Sequence, residues 1–176
     1  MIDAKLIRSY TEVPIVVESV DWCRDMLSND ELAYLSNFET DIRIELGKNA
    51  DALLFHGSPR SHMEDILATT DADELDRYLG DSVATVMAGG HTHIQMLRQH
   101  RGMLLVNPGS VGMPFKEFAN GNAPHIMPYA EYAVVEATGG AVQVSLRRVE
   151  VDRSRLRDEA TVSSNPICRA LERQYA

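Results

Sequence analysis

Three short stretches set histidines beside glycines or end in a glycine-rich turn: Leu53-Leu54-Phe55-His56-Gly57-Ser58-Pro59, Ala88-Gly89-Gly90-His91-Thr92-His93 and Val106-Asn107-Pro108-Gly109-Ser110-Val111-Gly112. Neutral imidazole suits zinc, iron, manganese and nickel, so three histidines delivered to one sheet edge make a candidate metal cluster. His91 and His93 are one residue apart. In an extended segment both face the same side, with Thr92 on the other, and can converge on one ion or two adjacent ions. Gly89 and Gly90 let the chain turn sharply and leave room for an ion and a phosphate close to the backbone, and Gly57 does the same after His56. His62, His100 and His125 fall in an expected helix, a strand and a Pro-rich loop without a companion motif, and are read as hydrogen-bonded or solvated side chains.

The surrounding pattern says what positions these residues. Asp51–Phe55 and Val83–Met87 read as short buried strands, each followed closely by a histidine, which places imidazoles at strand C-terminal ends. That edge is where open α/β sheets bind ligands. Asp41–Leu46 alternates polar and apolar residues and turns through Gly47-Lys48-Asn49 into the first of these strands, as a hairpin. Upstream, two consecutive helices are expected over about 18–37, with a capping box at Ser28–Glu31. Met63, Ile66 and Leu67 suggest a short helix after Pro59, and a second runs from Asp71 to Leu79 and ends at Gly80. Residues 94–100 and 103–106 read as strands joined around Arg101-Gly102. Residues 113–128, with Pro114, Gly121, Pro124 and Pro128, mark a surface loop, either a lid or a connection. Tyr132–Ala137 and Ala141–Val151 flank the hairpin signal Thr138-Gly139-Gly140, and a last short helix covers Ile167–Gln174.

Composition bounds the rest. A chain of 176 residues with 44% apolar and 24% charged residues fits one globular domain with a real core. The net charge of −9 argues against a DNA-binding surface, which needs clustered Lys and Arg. Two distant cysteines, Cys23 and Cys168, indicate neither a disulfide framework nor a thiolate zinc site. No stretch approaches the ~18 apolar residues of a membrane span, and the N-terminus carries no signal-peptide core, so a cytoplasmic protein is expected.

In their order and spacing, His56-Gly57-Ser58-Pro59, Gly90-His91-Thr92-His93 and Asn107-Pro108-Gly109-Ser110-Val111-Gly112 resemble the late motifs of the calcineurin-like metallophosphoesterases, and in particular of the small bacterial phosphodiesterases. The resemblance implies the C-terminal portion of an α/β sandwich, two packed mixed β-sheets flanked by helices. It also implies hydrolysis of a phosphodiester or phosphomonoester by a metal-activated water at two divalent ions roughly 3.5–4 Å apart, of manganese, nickel, iron or zinc. His56 and His91 would ligate one ion and His93 the other, while Gly57, Gly90, Asn107 and Ser110 would shape the substrate loop. The substrate would be a small phosphoester or a nucleotide.

The sequence also departs from that family. Its early motifs, an Asp-x-His, a Gly-Asp and a Gly-Asn-His-Asp, do not precede His56; Met1-Ile2-Asp3 stands where the last of them would end. Asp3 is therefore a catalytic candidate by alignment with its final Asp, and the single domain over 1–176 is expected to be N-terminally incomplete. Three neutral histidines without those carboxylates would hold one ion weakly, or none. The alternative to an enzyme is a catalytically silent member acting as a metal-binding or interaction protein. Apolar faces left without a partner are expected to be exposed and to favour a homo-oligomer.

Overall fold

A computed structural model describes residues 13–119 and 123–175, so Asp3 and Gly121 lie outside the described residues. The chain divides into two compact units, Thr40–Val151 and the pairing of Met1–Glu39 with Asp152–Ala176.

The Thr40–Val151 unit is built on a five-stranded mixed sheet. Its strands are β1 (Asp41–Gly47), β2 (Ala50–Phe55), β3 (Val86–Ala88), β4 (Met96–His100) and β5 (Met103–Asn107), in the order β1-β2-β3-β5-β4. The three central strands β2, β3 and β5 run parallel, and β1 and β4 close the edges antiparallel. Parallel strands are stable when both faces are covered, and the two-residue period of a strand supplies both faces here. Leu53, Met87 and Leu105 pack with Leu75 and Leu79 of helix α3 (Ala72–Leu79), while Ala52, Val86 and Val106 turn the other way. That second face meets Val135, Val144 and Leu146 of an antiparallel pair, β6 (Tyr129–Thr138) and β7 (Ala141–Glu150). The middle sheet thus lies between one helix and a second sheet. Leu75 and Leu79 stand four apart on one helix face and are almost completely buried. Burying each stabilises the unit by about 1.5–3 kcal/mol before chain entropy is counted.

Polar details set the register. Asp51 at the start of β2 accepts hydrogen bonds from the Thr85 backbone N–H (2.9 Å) and hydroxyl (3.2 Å) and pairs with Arg43 of β1. One carboxylate therefore joins three consecutive segments of the sheet. The β6–β7 turn has Gly139 at φ 60° and Gly140 at φ 89°, a conformation that suits two successive glycines.

The other unit is helical: α1 (Pro14–Met26), α2 (Asn29–Ser36), α4 (Arg153–Val162) and α5 (Cys168–Gln174). Proline opens α1, where its missing N–H costs nothing, and the Ser28–Glu31 capping box opens α2 as the sequence predicts. The buried Ser19 hydroxyl donates to the Ile15 carbonyl (2.7 Å) and accepts the Ile167 N–H (3.0 Å). Trp22 reaches Ser164 at 3.2 Å, so the early and late helices of this unit are tied by polar bonds. No helix of the described residues is long and apolar enough to cross a membrane.

Two expectations are corrected and one helix is added. The helix anticipated around Met63–Leu67 does not form; the segment is a series of turns. There Ser61 Oγ accepts the Met63 N–H and Thr70 Oγ1 accepts the Leu67 N–H, diverting donors that a helix would use. His62 accordingly sits in a loop. The strand expected over 83–87 is displaced to Val86–Ala88, because Thr85 spends its donors on Asp51. Helix α4 was not anticipated; Leu156, Ala160 and Val162 are the apolar marks in a charged stretch, and its N-terminus is capped by Asp152 accepting the Arg155 N–H at 3.1 Å.

Candidate functional site

His56 follows β2 directly, and its carbonyl accepts the backbone N–H groups of Gly90 (3.0 Å) and His91 (3.2 Å). Gly89, after β3, donates to the Val106 carbonyl at 3.0 Å and lies so near Phe55 that a Cβ would come within 2.5 Å of its ring. These main-chain bonds align the ends of two parallel strands. As a result His56 Nε2 and His91 Nδ1 face each other at 3.1 Å, with ring centroids 5.0 Å apart. Next to them, a Cβ at Gly90 would meet nothing within 4 Å.

His93 does not lie on an extended strand beside His91. Its N–H returns to the Gly90 carbonyl at 3.1 Å and its φ is +56°, so 90–93 is a tight turn. The expected same-side arrangement is corrected on that account. His93 Nδ1 lies 2.9 Å from the Met113 carbonyl, which only accepts, so Nδ1 carries the proton and Nε2 keeps its lone pair. The ring stacks at 4.7 Å on Phe115. Burial pushes the His56 imidazole below its ordinary value, and the positive charge that His91, His62 and His93 would carry pushes it further. Burial also lowers His93, partly offset by the Met113 bond. Both rings therefore stay neutral at pH 7, the form that offers a lone pair.

Asn107 and Ser110 spend their side chains on the loop itself. The buried Asn107 donates to Thr92 Oγ1 (2.9 Å) and accepts the Gly109 N–H (2.9 Å), linking the histidine turn to its own loop. Ser110 Oγ accepts the Met113 N–H at 3.0 Å. Gly57 is cramped differently: a Cβ there would meet backbone atoms of Ser61, His62 and Glu64 at 2.8–2.9 Å. The loop after it is held by the Ser58–Ser61 backbone bond (2.7 Å) and by Glu64, which accepts from Ser58 Oγ (2.5 Å) and Arg60 Nε (2.8 Å).

Three residues missed by sequence reasoning, and His62, which it left outside the site, complete the surroundings. The loop sets His62 6.4 Å from His56, ring to ring, and Asp65 Oδ1 3.6 Å from His91 Nε2. Burial raises the Asp65 carboxyl, and His91 draws it partly back. Gln95 Nε2 reaches the carbonyls of Pro108 (3.2 Å), Tyr132 (3.3 Å) and Arg147 (3.1 Å). Glu131 is 1% exposed; Arg148 Nε donates to its Oε1 at 2.9 Å, and Oε2 has no hydrogen-bond partner among the described residues. Glu131 presses against Gly109, whose φ is +82° and where a Cβ would overlap the carboxylate. Elsewhere His100 bonds Asp76 (2.8 Å) and His125 bonds Glu117 (2.5 Å), which satisfies both outside the site.

One of the two facing nitrogens carries the proton they share; once a cation displaces it, imidazole nitrogens 3.1 Å apart have the chemistry and separation of two ligands on one ion at ~2.1 Å each. Among the described residues, no set of three or more His, Cys, Asp or Glu is arranged to hold a metal. The pair fits part of a metal centre, not the whole of one.

Comparison with known proteins follows from this geometry. A family model described as the calcineurin-like phosphoesterase superfamily domain matches residues 4–128. No curated protein matches the chain. A hypothetical protein from Pyrococcus horikoshii OT3 superposes with a TM-score of 0.71 at 18% identity, over 98% of this chain and 64% of its own. A metallophosphoesterase from Sphaerobacter thermophilus superposes with a TM-score of 0.62 at 20% identity, over 94% of this chain and 70% of its own. Identities this low speak to the fold alone, and the chain spans less than two thirds of the first protein's length. Because the matched family segment, 4–128, takes in most of the chain and all three histidine and glycine loops, the chain belongs to the calcineurin-like phosphoesterase superfamily.

Proposed function

We propose that this protein serves a metal-dependent phosphoesterase centre acting on a small phosphoester or a nucleotide, with His56, His91 and His93 as metal ligands. The observation that carries the reading is the 3.1 Å approach of His56 Nε2 to His91 Nδ1 at the C-terminal ends of two parallel strands. When bound, divalent ions in such sites neutralise phosphate charge and activate water at neutral pH. The chain's own part is to present lone pairs and to shape the space beside them. Desolvation keeps His56 and His93 neutral, and the Met113 carbonyl holds the His93 proton on Nδ1, leaving Nε2 with its lone pair. Asn107 and Ser110 hold the 107–113 loop in form, and Gly90 leaves the backbone open for a phosphate to approach. Asp3 remains a catalytic candidate on sequence alignment alone.

The test uses untagged protein. Manganese, nickel, iron and zinc are measured by elemental analysis, and hydrolysis of bis-p-nitrophenyl phosphate is followed with added manganese or nickel. Metal uptake together with a rate that falls ~100-fold or more in His91→Ala supports the proposal, since loss even of a supporting partner costs about 10–100-fold. Metal uptake without hydrolysis would identify a silent, metal-binding member instead. Absence of both overturns the proposal.

A further inference from the structure

The two nitrogens of the His91 ring face different neighbours. Nδ1 looks at His56 Nε2 across 3.1 Å, and Nε2 looks at Asp65 Oδ1 across 3.6 Å. A neutral imidazole carries one proton, and a carboxylate can only accept it. Asp65 therefore favours the proton on Nε2, which leaves Nδ1 to accept the 3.1 Å hydrogen bond from His56 Nε2–H and to offer its lone pair to a cation that displaces that proton. Without such a partner the two tautomers compete, and the Nδ1–H form would turn a donor toward any cation placed between the rings.

Asp65 does not reach this position as a loose surface acid. Gly57 brings the 61–64 backbone within reach of the His56 loop, Glu64 is held by Ser58 and Arg60, and Ile66 is buried in the core. Its backbone is thus anchored on both sides. Its side chain keeps 45% of its surface exposed and stands 3.6 Å from Nε2, at ion-pair distance and longer than the roughly 2.9 Å of a hydrogen bond.

We propose that Asp65 is a positioning residue that fixes His91 in its Nε2–H tautomer and so turns the Nδ1 lone pair toward the ion expected beside His56. The inference rests on the proposed function for the identity of that ion, and not for the tautomer. Carboxylates that orient metal-bound histidines in this way support metal affinity by about 10–100-fold.

The experiment therefore has two arms on the full chain. In the first, long-range ¹H–¹⁵N correlation spectra of metal-free protein report the protonated nitrogen of His91. The Nε2–H form is expected in the wild type, a mixture in Asp65→Ala, and partial restoration in Asp65→Asn, which keeps an acceptor oxygen. In the second arm, zinc titration calorimetry is expected to show ~10–100-fold weaker binding for Asp65→Ala. Near-UV circular dichroism checks folding, and if the alanine variant does not fold, the comparison rests on Asp65→Asn and Asp65→Leu. An unchanged His91 tautomer in folded variants overturns the proposal; if zinc affinity falls nonetheless, Asp65 is a direct ligand instead. Failure of the wild type to bind any metal sinks the proposed function alone, since the first arm still decides the role of Asp65.

Discussion

Gly109 shows how little freedom the site loop has. Its φ of +82° suits glycine, and an added Cβ would run into the buried Glu131 side chain and come within 2.8 Å of Gln95 Cγ. Gly109→Ala is expected to destabilise the protein by about 1–3 kcal/mol. Thermal melts measure this directly, and an unchanged midpoint would mean that the loop relaxes freely. At this scale the sequence was legible where chemistry is written locally. His56, His91 and His93 stand out because glycines flank them at strand ends. Asp65, Gln95 and Glu131 are ordinary residues in sequence, and their partners come from other loops: Asp65 meets His91 across the site, and Gln95 meets carbonyls of β6 and β7. The alternation argument for His91 and His93 failed for a physical reason. It assumed extended backbone, and the Gly90 carbonyl closes a turn instead.

Among the elements, strands and α3 were readable because burial imposes a period. Leu75 and Leu79 mark one helix face, and neighbouring residues in β2, β3 and β5 alternate between two covered faces. The 61–70 segment misled because its apolar residues are spaced as in a helix while Ser61 and Thr70 claim its backbone donors. Helix α4 was hidden by its charge. Asp51 joins β1, β2 and the approach to β3, and its carboxyl lies below the ordinary range, mainly through the Thr85 N–H, with help from Arg43. In the unfolded chain it takes up a proton near pH ~3.9, and in the folded chain only at lower pH. The unfolded state therefore binds more protons as acid is added, so the stabilisation is present above pH ~4 and is lost as pH falls through the folded value. Asp51→Asn is expected to lose about 1 kcal/mol at pH 7. Denaturant titrations from pH 7 down to pH 3 should show the gap between the two proteins narrowing as pH falls; a constant gap would rule out this origin.

At the scale of the whole molecule, the three-layered order of the Thr40–Val151 unit and membership of the superfamily agree with what the loop motifs imply, and the five-stranded sheet carries the candidate site at the C-terminal ends of its parallel strands. The same sheet ends in β1, where Ile42 is 55% exposed and Ile44 42% exposed on an edge strand. Exposed apolar edges invite pairing with another chain. Sedimentation velocity is expected to show concentration-dependent self-association that Ile44→Lys weakens, and a monomer at every concentration would contradict it. The reach of Gln95 has a dynamic consequence. The two N–H donors of one amide are shared among the carbonyls of Pro108 in the 107–113 loop and of Tyr132 and Arg147 on the two arms of the outer hairpin, and the Glu131 N–H bonds to the Ser110 carbonyl at 2.9 Å. In hydrogen exchange the amides of Met113 and Glu131 should then lose protection at one common rate, so that the hairpin and the 107–113 loop open and close as a single cooperative unit.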